Sequence, residues 1–250
     1  MAQYDTFAKF YDVVNGEPDE RIAQILSYVN EFCPRAQTVL ELGCGTGAVL
    51  AGLGSGFALT GVDLSSEMLA YARRRCPSAR LIEADITTLS LDERFDVVIC
   101  VYDTLNHVTN FDGWTAVFER VAHHLRDGGL FIFDLNTIGR LRDLNDSAPW
   151  VFDFDDNTLV MDVDFSNEPV ARWNIRIFER QRDLSYQLHQ ETILELGVAL
   201  DQVRAALAAH FTLIAESDTD GSAPTDGSSR ALFVATPIVV EPDSHVGQAS

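Results

Sequence analysis

The chain has 250 residues, 46% of them hydrophobic, and a formal charge of -20. That is enough for one sizeable core, and the acidic balance excludes nucleic acid and an anionic membrane as partners. Cys33, Cys44, Cys76 and Cys100 are scattered without a C-x-x-C pair, and no apolar run approaches membrane-span length. The expectation is a soluble, cytoplasmic protein with free thiols, no metal site and no membrane contact.

An aromatic segment, Y-D-T-F-A-K-F-Y-D, opens the chain. Residues 19–32 then carry Ile22, Ile25, Leu26 and Val29 at helical spacing, which predicts a helix packed on a sheet. Strands are expected at 39–42, 58–62, 80–83, 97–101 and 130–134, with helices at 66–75 and 114–125 between them. Ser65 is the expected N-cap of the first of those helices, which buries Met68, Leu69 and Ala72 and ends on Arg73, Arg74 and Arg75, where cations suit the dipole. This alternation builds a parallel sheet with helices on both faces.

After Asp134 the period changes. Residues 150–195 alternate apolar and polar side chains in three pieces with D-D-N and S-N-E-P turns between them, the pattern of an antiparallel meander. Its aspartates, Asp153, Asp155, Asp156, Asp162 and Asp164, read as a solvated face, or as a lure for a cationic ligand where they line a cleft. The α/β pattern resumes with a helix at 200–209 and strands at 211–217 and 230–235. The division expected is an N-terminal segment and α/β core over 1–146, an antiparallel insertion over 147–195 serving as a lid or a homodimer surface, completion of the core over 196–237, and a disordered tail over 238–250.

Chemistry concentrates in T-V-L-E-L-G-C-G-T-G, residues 38–47, with Asp63 following Gly43 by twenty residues at the end of the next strand. A strand, a turn bare of side chains and an acid on the following strand describe a nucleotide-type cofactor seat in which the acid holds a ribose. The spacing Gly43, Gly45, Gly47 is not the G-x-G-x-x-G of dinucleotide folds, and Glu41 beside the turn would repel a pyrophosphate. S-adenosylmethionine, with a sulfonium and an ammonium against one carboxylate, suits the sign of the site.

These motifs resemble those of class I S-adenosylmethionine-dependent methyltransferases over most of residues 4–236. V-L-E-L-G-C-G-T-G is similar to the first motif of that family, V-D-L-S-S-E-M-L to the second, E-A-D-I to the third, and F-D-V-V-I-C-V-Y-D and H-L-R-D-G-G-L-F-I-F-D to the fourth and fifth strands. The resemblance implies a Rossmann-like, doubly wound, seven-stranded α/β sheet with an inserted meander. It implies cofactor contacts from Tyr11, Glu41, Gly43, Gly45 and Gly47, ribose contacts from Asp63, and an adenine site bordered by Leu64, Met68, Ala84, Asp85 and Ile86, with Val101 nearby. The N-terminal aromatic segment is similar to that of a subset which includes N,N-dimethyltransferases of nucleotide-linked amino sugars. In that subset the segment folds over the cofactor, so Tyr11 is expected as a clamp, His107 beside the acceptor, and Tyr102, Asp103, Trp150 and Arg230 around the substrate.

Methyl transfer from a sulfonium is an in-line displacement for which positioning is the main requirement. His107 and Tyr11 are the expected catalytic side chains, and His123, His124, His189 and His210 are expected to be structural. The leading expectation is N-methylation of a small amine in specialised metabolism. O- or C-methylation of another metabolite is the alternative, then a non-catalytic domain that binds the cofactor. A nicotinamide oxidoreductase is disfavoured by the glycine spacing.

Overall fold

The computed structural model describes residues 3–238; the expected tail lies outside them apart from residue 238. A short helix α1 (Tyr11–Asn15) and a longer α2 (Asp19–Phe32) lead into β1 (Thr38–Leu42), α3 (Ala48–Leu53), β2 (Ala58–Asp63), α4 (Ser66–Arg75), β3 (Arg80–Glu83) and β4 (Phe95–Cys100). A 3-10 turn (Thr104–His107), α5 (Phe111–His124), β5 (Leu125–Asn136) and α6 (Ile138–Asn145) follow. Next come β6 (Trp150–Phe154), β7 (Asn157–Asp164), β8 (Val170–Arg180) and β9 (Tyr186–Leu196), then α7 (Leu200–Leu207), β10 (Phe211–Ser217) and β11 (Arg230–Pro237).

Seven strands form one sheet in the order β10-β11-β5-β4-β1-β2-β3, and β6-β7-β8-β9 form a second. In the first sheet β11 runs antiparallel to both β5 and β10, and the remaining pairs are parallel. Alternation within β5 shows why this sheet is covered on both sides. Phe131, Phe133 and Leu135 join Trp114 and Phe118 of α5 in one core, and Leu130 and Ile132 join Ile25 and Val29 of α2 in the other. The second sheet buries Leu159, Ile175, Ile177 and Ile193 against Phe7 and Phe10 of the N-terminal segment, forming a third core.

Caps set several boundaries. Ser65 accepts from the Met68 N–H at 3.1 Å, as expected. Helix α5 begins at Phe111, ahead of the expected residue 114, because Asn110 caps it through the Gly113 N–H at 2.7 Å. Helices α3 and α6 were not foreseen: α3 is six residues long and starts on the left-handed Gly47, while α6 is capped by Thr137. The six residues of α3 are too few to announce themselves by periodicity. The meander aspartates lie exposed or in polar pairs, Asp162 with Arg176 and Asn174, and line neither of the two cavities described below. Cys44, Cys76 and Cys100 are buried free thiols. Among the described residues, no helix is long and apolar enough to cross a membrane.

Asp96 ties the edge of the sheet opposite the site. Its Oδ2 accepts from the Gln37 and Thr38 N–H groups and the Thr38 hydroxyl, each at 2.9 Å, and Oδ1 accepts from Arg126 at 2.7 Å. Burial pushes this carboxyl up, but the donors from Arg126, Gln37 and Thr38 outweigh it and lower its pKa to about 2. A depressed acid contributes stability above its unfolded value of about 3.9 and loses it as pH falls toward 2. Asp96→Asn should therefore cost about 1.5–3 kcal/mol in urea unfolding at pH 7. The difference from wild type should shrink between about pH 4 and pH 2.

Candidate active site

Main-chain hydrogen bonds shape the turn after β1. The N–H groups of Gly43 and Cys44 donate to Val62 O at 2.8 and 3.0 Å, binding the turn to the end of β2. Asp63 is gripped at both carboxylate oxygens, Oδ2 by the Gly45 N–H and Oδ1 by the Ser65 N–H, each at 2.8 Å. Each oxygen keeps a second lone pair for a ligand. Gly45 has φ +50° and nothing within 4 Å of where a Cβ would stand, so bare backbone faces open space there. Gly47 has a different role, since a Cβ would come within 2.6 Å of Cys76 Sγ; its absence lets α3 and α4 approach.

A cavity of about 360 Å³ opens over this turn. Of the residues expected at the cofactor, Tyr11, Glu41, Gly43, Gly45, Asp63, Leu64 and Met68 line it, as do Ala84, Asp85, Ile86 and Val101. Gly47 does not, for the packing reason just given. Glu41 is 3% exposed, and its Oε2 is buried with no hydrogen-bond partner. Burial raises its pKa well above the carboxylate range, and the charge of Asp63 adds to the rise. Burial also raises Asp63, against the opposing pull of the Ser65 and Gly45 N–H groups. An orphaned acid and an uncovered turn fit a ligand with a cationic end, such as the methionine end of S-adenosylmethionine.

A second cavity, of about 470 Å³, lies between the second sheet and the ends of β4, β5 and β11. Tyr4, Tyr11 and Tyr102 line both cavities, so the two meet at a tyrosine wall. Tyr102 and Asp103, just beyond β4, are consecutive left-handed residues with φ of 57° and 53°. Such conformations cost of order 1–3 kcal/mol each and persist where the surroundings enforce them. Here Asp134, fully buried at the end of β5, accepts from the Asp103 N–H at 2.8 Å. Arg230 bridges the same two acids, reaching Asp134 Oδ1 and Asp103 Oδ1 at 2.6 Å each, while Arg21 stands 3.2 Å from Asp134 Oδ2. Arg230 thus lines the second cavity, but its guanidinium is engaged within the protein rather than free for an anion.

His107 ends the 3-10 turn. Its Nδ1 lies 3.2 Å from Leu194 O, which can only accept, so Nδ1 carries the proton and Nε2 accepts from Tyr4 Oη at 3.0 Å. Burial lowers the imidazole pKa against the opposing charge of Asp103, which keeps the ring neutral at pH 7. The other histidines named in the sequence have structural places: His124 accepts from the Leu91 N–H at 2.8 Å, and His189 pairs with Glu179 at 2.9 Å. Trp150 is 44% exposed and lines the second cavity beside Trp173.

Three side chains were not foreseen: Tyr4, Asp134 and Glu195. Tyr4 stood within the aromatic segment, but only the fold brings it to His107. Asp134 and Glu195 carried the signal of an acid within an apolar strand, in F-I-F-D-L and I-L-E-L.

Comparison with known proteins agrees with this geometry. Residues 39–129 match a family model described as a methyltransferase domain. A methyltransferase of Geobacillus sp. (strain WCH70) is 27% identical over 93% of this chain and 98% of its own. The chain carries a methyltransferase domain. The dTDP-3-amino-3,6-dideoxy-alpha-D-glucopyranose N,N-dimethyltransferase of Streptomyces fradiae is 34% identical over 51% of this methyltransferase and 52% of its own length. Among solved structures, an S-adenosylmethionine-dependent methyltransferase from Clostridium acetobutylicum ATCC 824 superposes with a TM-score of 0.83 at 24% identity, over 93% of this chain and 98% of that one. The sugar N-methyltransferase KedS8 from Streptoalloteichus sp ATCC 53650 does so with a TM-score of 0.77 at 24% identity, over 94% and 92%. These likenesses support the fold, with its seven-stranded sheet and antiparallel companion.

The Arg230 bridge should be indispensable to the methyltransferase fold. Arg230→Met leaves Asp103 buried without its guanidinium partner and Asp134 with Arg21 alone, a change expected to cost about 3–5 kcal/mol. Urea unfolding at pH 5 and pH 8 checks it. The deficit should widen toward pH 8, because Asp103 no longer has the guanidinium that holds its carboxyl low, and equal stability of the two proteins would contradict the assignment.

Proposed function

We propose that this methyltransferase N-methylates a small-molecule amine of the amino-sugar kind, with the donor in the first cavity and the acceptor in the second. One observation carries the reading: two cavities meet at Tyr4, Tyr11 and Tyr102, and the second has an acidic floor of Asp103 and Glu195 under aromatic walls. An acidic, aromatic pocket favours a cationic or amine guest over an anion. The Streptomyces fradiae relative is named for methylating a sugar amine, which supports the same acceptor class.

Within the donor site, Asp63 takes the ribose hydroxyls, and Glu41 with the Gly43 and Gly45 backbone receives the methionine end. Leu64, Met68, Ala84 and Ile86 border the adenine, Asp85 accepts from its amino group, and Val101 closes the inner wall. Bound there, S-adenosylmethionine supplies a methyl group already activated on a sulfonium. The protein's own contribution is alignment: Tyr11 and Tyr102 confine the acceptor in line, an effect that can supply about 7–11 kcal/mol. The wall must part at Tyr4 for donor and acceptor to meet, and opening it frees His107 Nε2 to take a hydrogen bond from the acceptor. At the outer rim, the exposed Arg140 stands with Thr219 and Ser229 and suits a phosphate tail on a nucleotide-linked sugar.

Isothermal titration should show uptake of S-adenosylhomocysteine and none of NAD. Asp63→Asn should weaken that uptake at least about tenfold, the scale of one charge-assisted hydrogen bond lost. Turnover should appear with dTDP-linked amino sugars. Activity confined to phenols or carbon acids would overturn the N-methylation reading. His107→Ala should lower turnover modestly, since an amine attacks as its free base. A fall of several orders of magnitude would instead point to base-assisted O-methylation.

A further inference from the structure

Glu195 has no part in the reading above beyond its place on a cavity floor. It ends β9, is 2% exposed, and takes a hydrogen bond from Asn136 Nδ2 at 3.0 Å on Oε2. Its carboxyl group stands near that of Asp103 on the wall of the same cavity, and two buried carboxyl groups so placed cannot both ionise without a counter-charge. Ligand atoms of Asp103, His107 and Glu195 all lie within 4.8 Å of one another.

The charge balance of the buried cluster has a gap. Asp103, Asp134 and Glu195 supply three carboxyl groups, and Arg21 and Arg230 supply two guanidinium groups. A buried charge without a partner is costly, so one further positive charge or proton belongs there. The remaining groups that face the cluster cannot provide it. Tyr4 and Tyr11 are neutral phenols with pKa values raised by burial, and His107 is lowered by burial. Glu191, on the same strand, accepts from the Phe7 N–H at 2.8 Å and is itself an acid. Burial raises Glu195 well above its ordinary range, whereas on Asp103 burial is outweighed by the Arg230 guanidinium and the carboxyl lies low. The proton of the pair therefore resides on Glu195.

We propose that the Glu195–Asp103 pair is the seat of the acceptor's amino group and takes its proton, which makes Glu195 a further catalytic residue. This rests on the N-methylation reading and specifies it: the acceptor enters as a primary or secondary ammonium. A second observation in the same cavity points to a ligand as well: the indole N–H of Trp173 on the cavity wall is buried without a partner among the described residues, and it can donate to an oxygen of the guest that carries the amino group. An ammonium fits better than a divalent metal ion, because Arg230 already sits 2.6 Å from Asp103 Oδ1 and would repel the higher charge.

The sequence of events balances. An ammonium entering the seat releases the shared proton to solvent, and Glu195 then takes one proton from the ammonium. The free amine forms the N–C bond as the S–C bond breaks, and the positive charge passes from sulfur to nitrogen. Departure of the methylated ammonium leaves the pair with its proton again, so each transfer releases one proton. The seat is thereby ready for a second methylation of the same nitrogen.

Benzylamine and benzyl alcohol, titrated into the full chain by calorimetry in two buffers of different ionisation heat, test the proposal. Benzylammonium should bind at least about tenfold tighter than the alcohol. Its binding should release about one proton near pH 7. Glu195→Gln should abolish both the preference and the proton release. Where Glu195→Gln fails to fold, the proton release of the wild type decides by itself: its absence overturns the assignment. A wild type that does not distinguish the two probes, or a Glu195→Gln variant that keeps the preference, also overturns it. S-adenosylhomocysteine titrated into the same samples keeps the two readings apart, because lost uptake there counts against the donor site, whereas intact uptake without amine preference counts against the Glu195–Asp103 seat alone.

Discussion

The carboxylate of Asp134 carries more of this molecule than any other single group. Fully buried at the end of β5, it accepts from the Asp103 backbone, from Arg230 on β11, and at 3.2 Å faces Arg21 on α2. Three separated stretches of chain are thereby tied at the carboxyl end of the parallel sheet, where ligands of open α/β sheets bind. The bond to the Asp103 N–H and the Arg230 bridge together hold two residues in left-handed conformations that neither would choose alone. Loosening Asp134 would release the turn that separates the two cavities.

The two halves of the site differ in kind. On the donor side, recognition is mostly main chain: the Gly45 and Ser65 N–H groups brace Asp63, and Gly45 leaves its surface open. Such a seat forms wherever β1 and β2 pair in parallel register, from Thr38 with Ala58 to Leu42 with Val62. On the side proposed for the acceptor, the cavity wall is a side-chain network drawn from the N-terminal segment, the turn after β4, β5, β9 and β11. That asymmetry suits an enzyme of constant donor and particular acceptor, since one seat is built into the sheet and the other can be respecified by few side chains.

The N-terminal segment connects the halves. Phe7 and Phe10 pack into the core of the second sheet, and Tyr4 reaches His107 across 3.0 Å. Asp5 and Asp12 on the same segment bond Ser65 and Thr46 beside the cofactor turn, at 2.7 and 2.6 Å. Access to the site therefore involves a piece of chain anchored by aromatic burial at one end and by short polar contacts at the other.

Local patterns in the sequence determined the alternation of strands and helices, the period-two meander, the Ser65 cap and the glycine turn with its acid twenty residues on. Each depends on neighbours within a few residues or on one strand-to-strand step, so spacing alone carries it. Of the twelve positions expected at the cofactor cavity, eleven line it, ten from that local grammar and Tyr11 from the aromatic segment, and Gly47 falls away because helix packing claims it. Only the tertiary structure decided that Arg230 is held by Asp103 and Asp134, that Tyr4 caps His107, and that Glu195 meets Asp103. These partners are separated by 127, 103 and 92 positions in the chain, the first two as bonded pairs and the last as the difference between 195 and 103. No periodicity links residues so far apart; burial brings them together, and the cost of a buried unpaired charge then dictates which of them must bond.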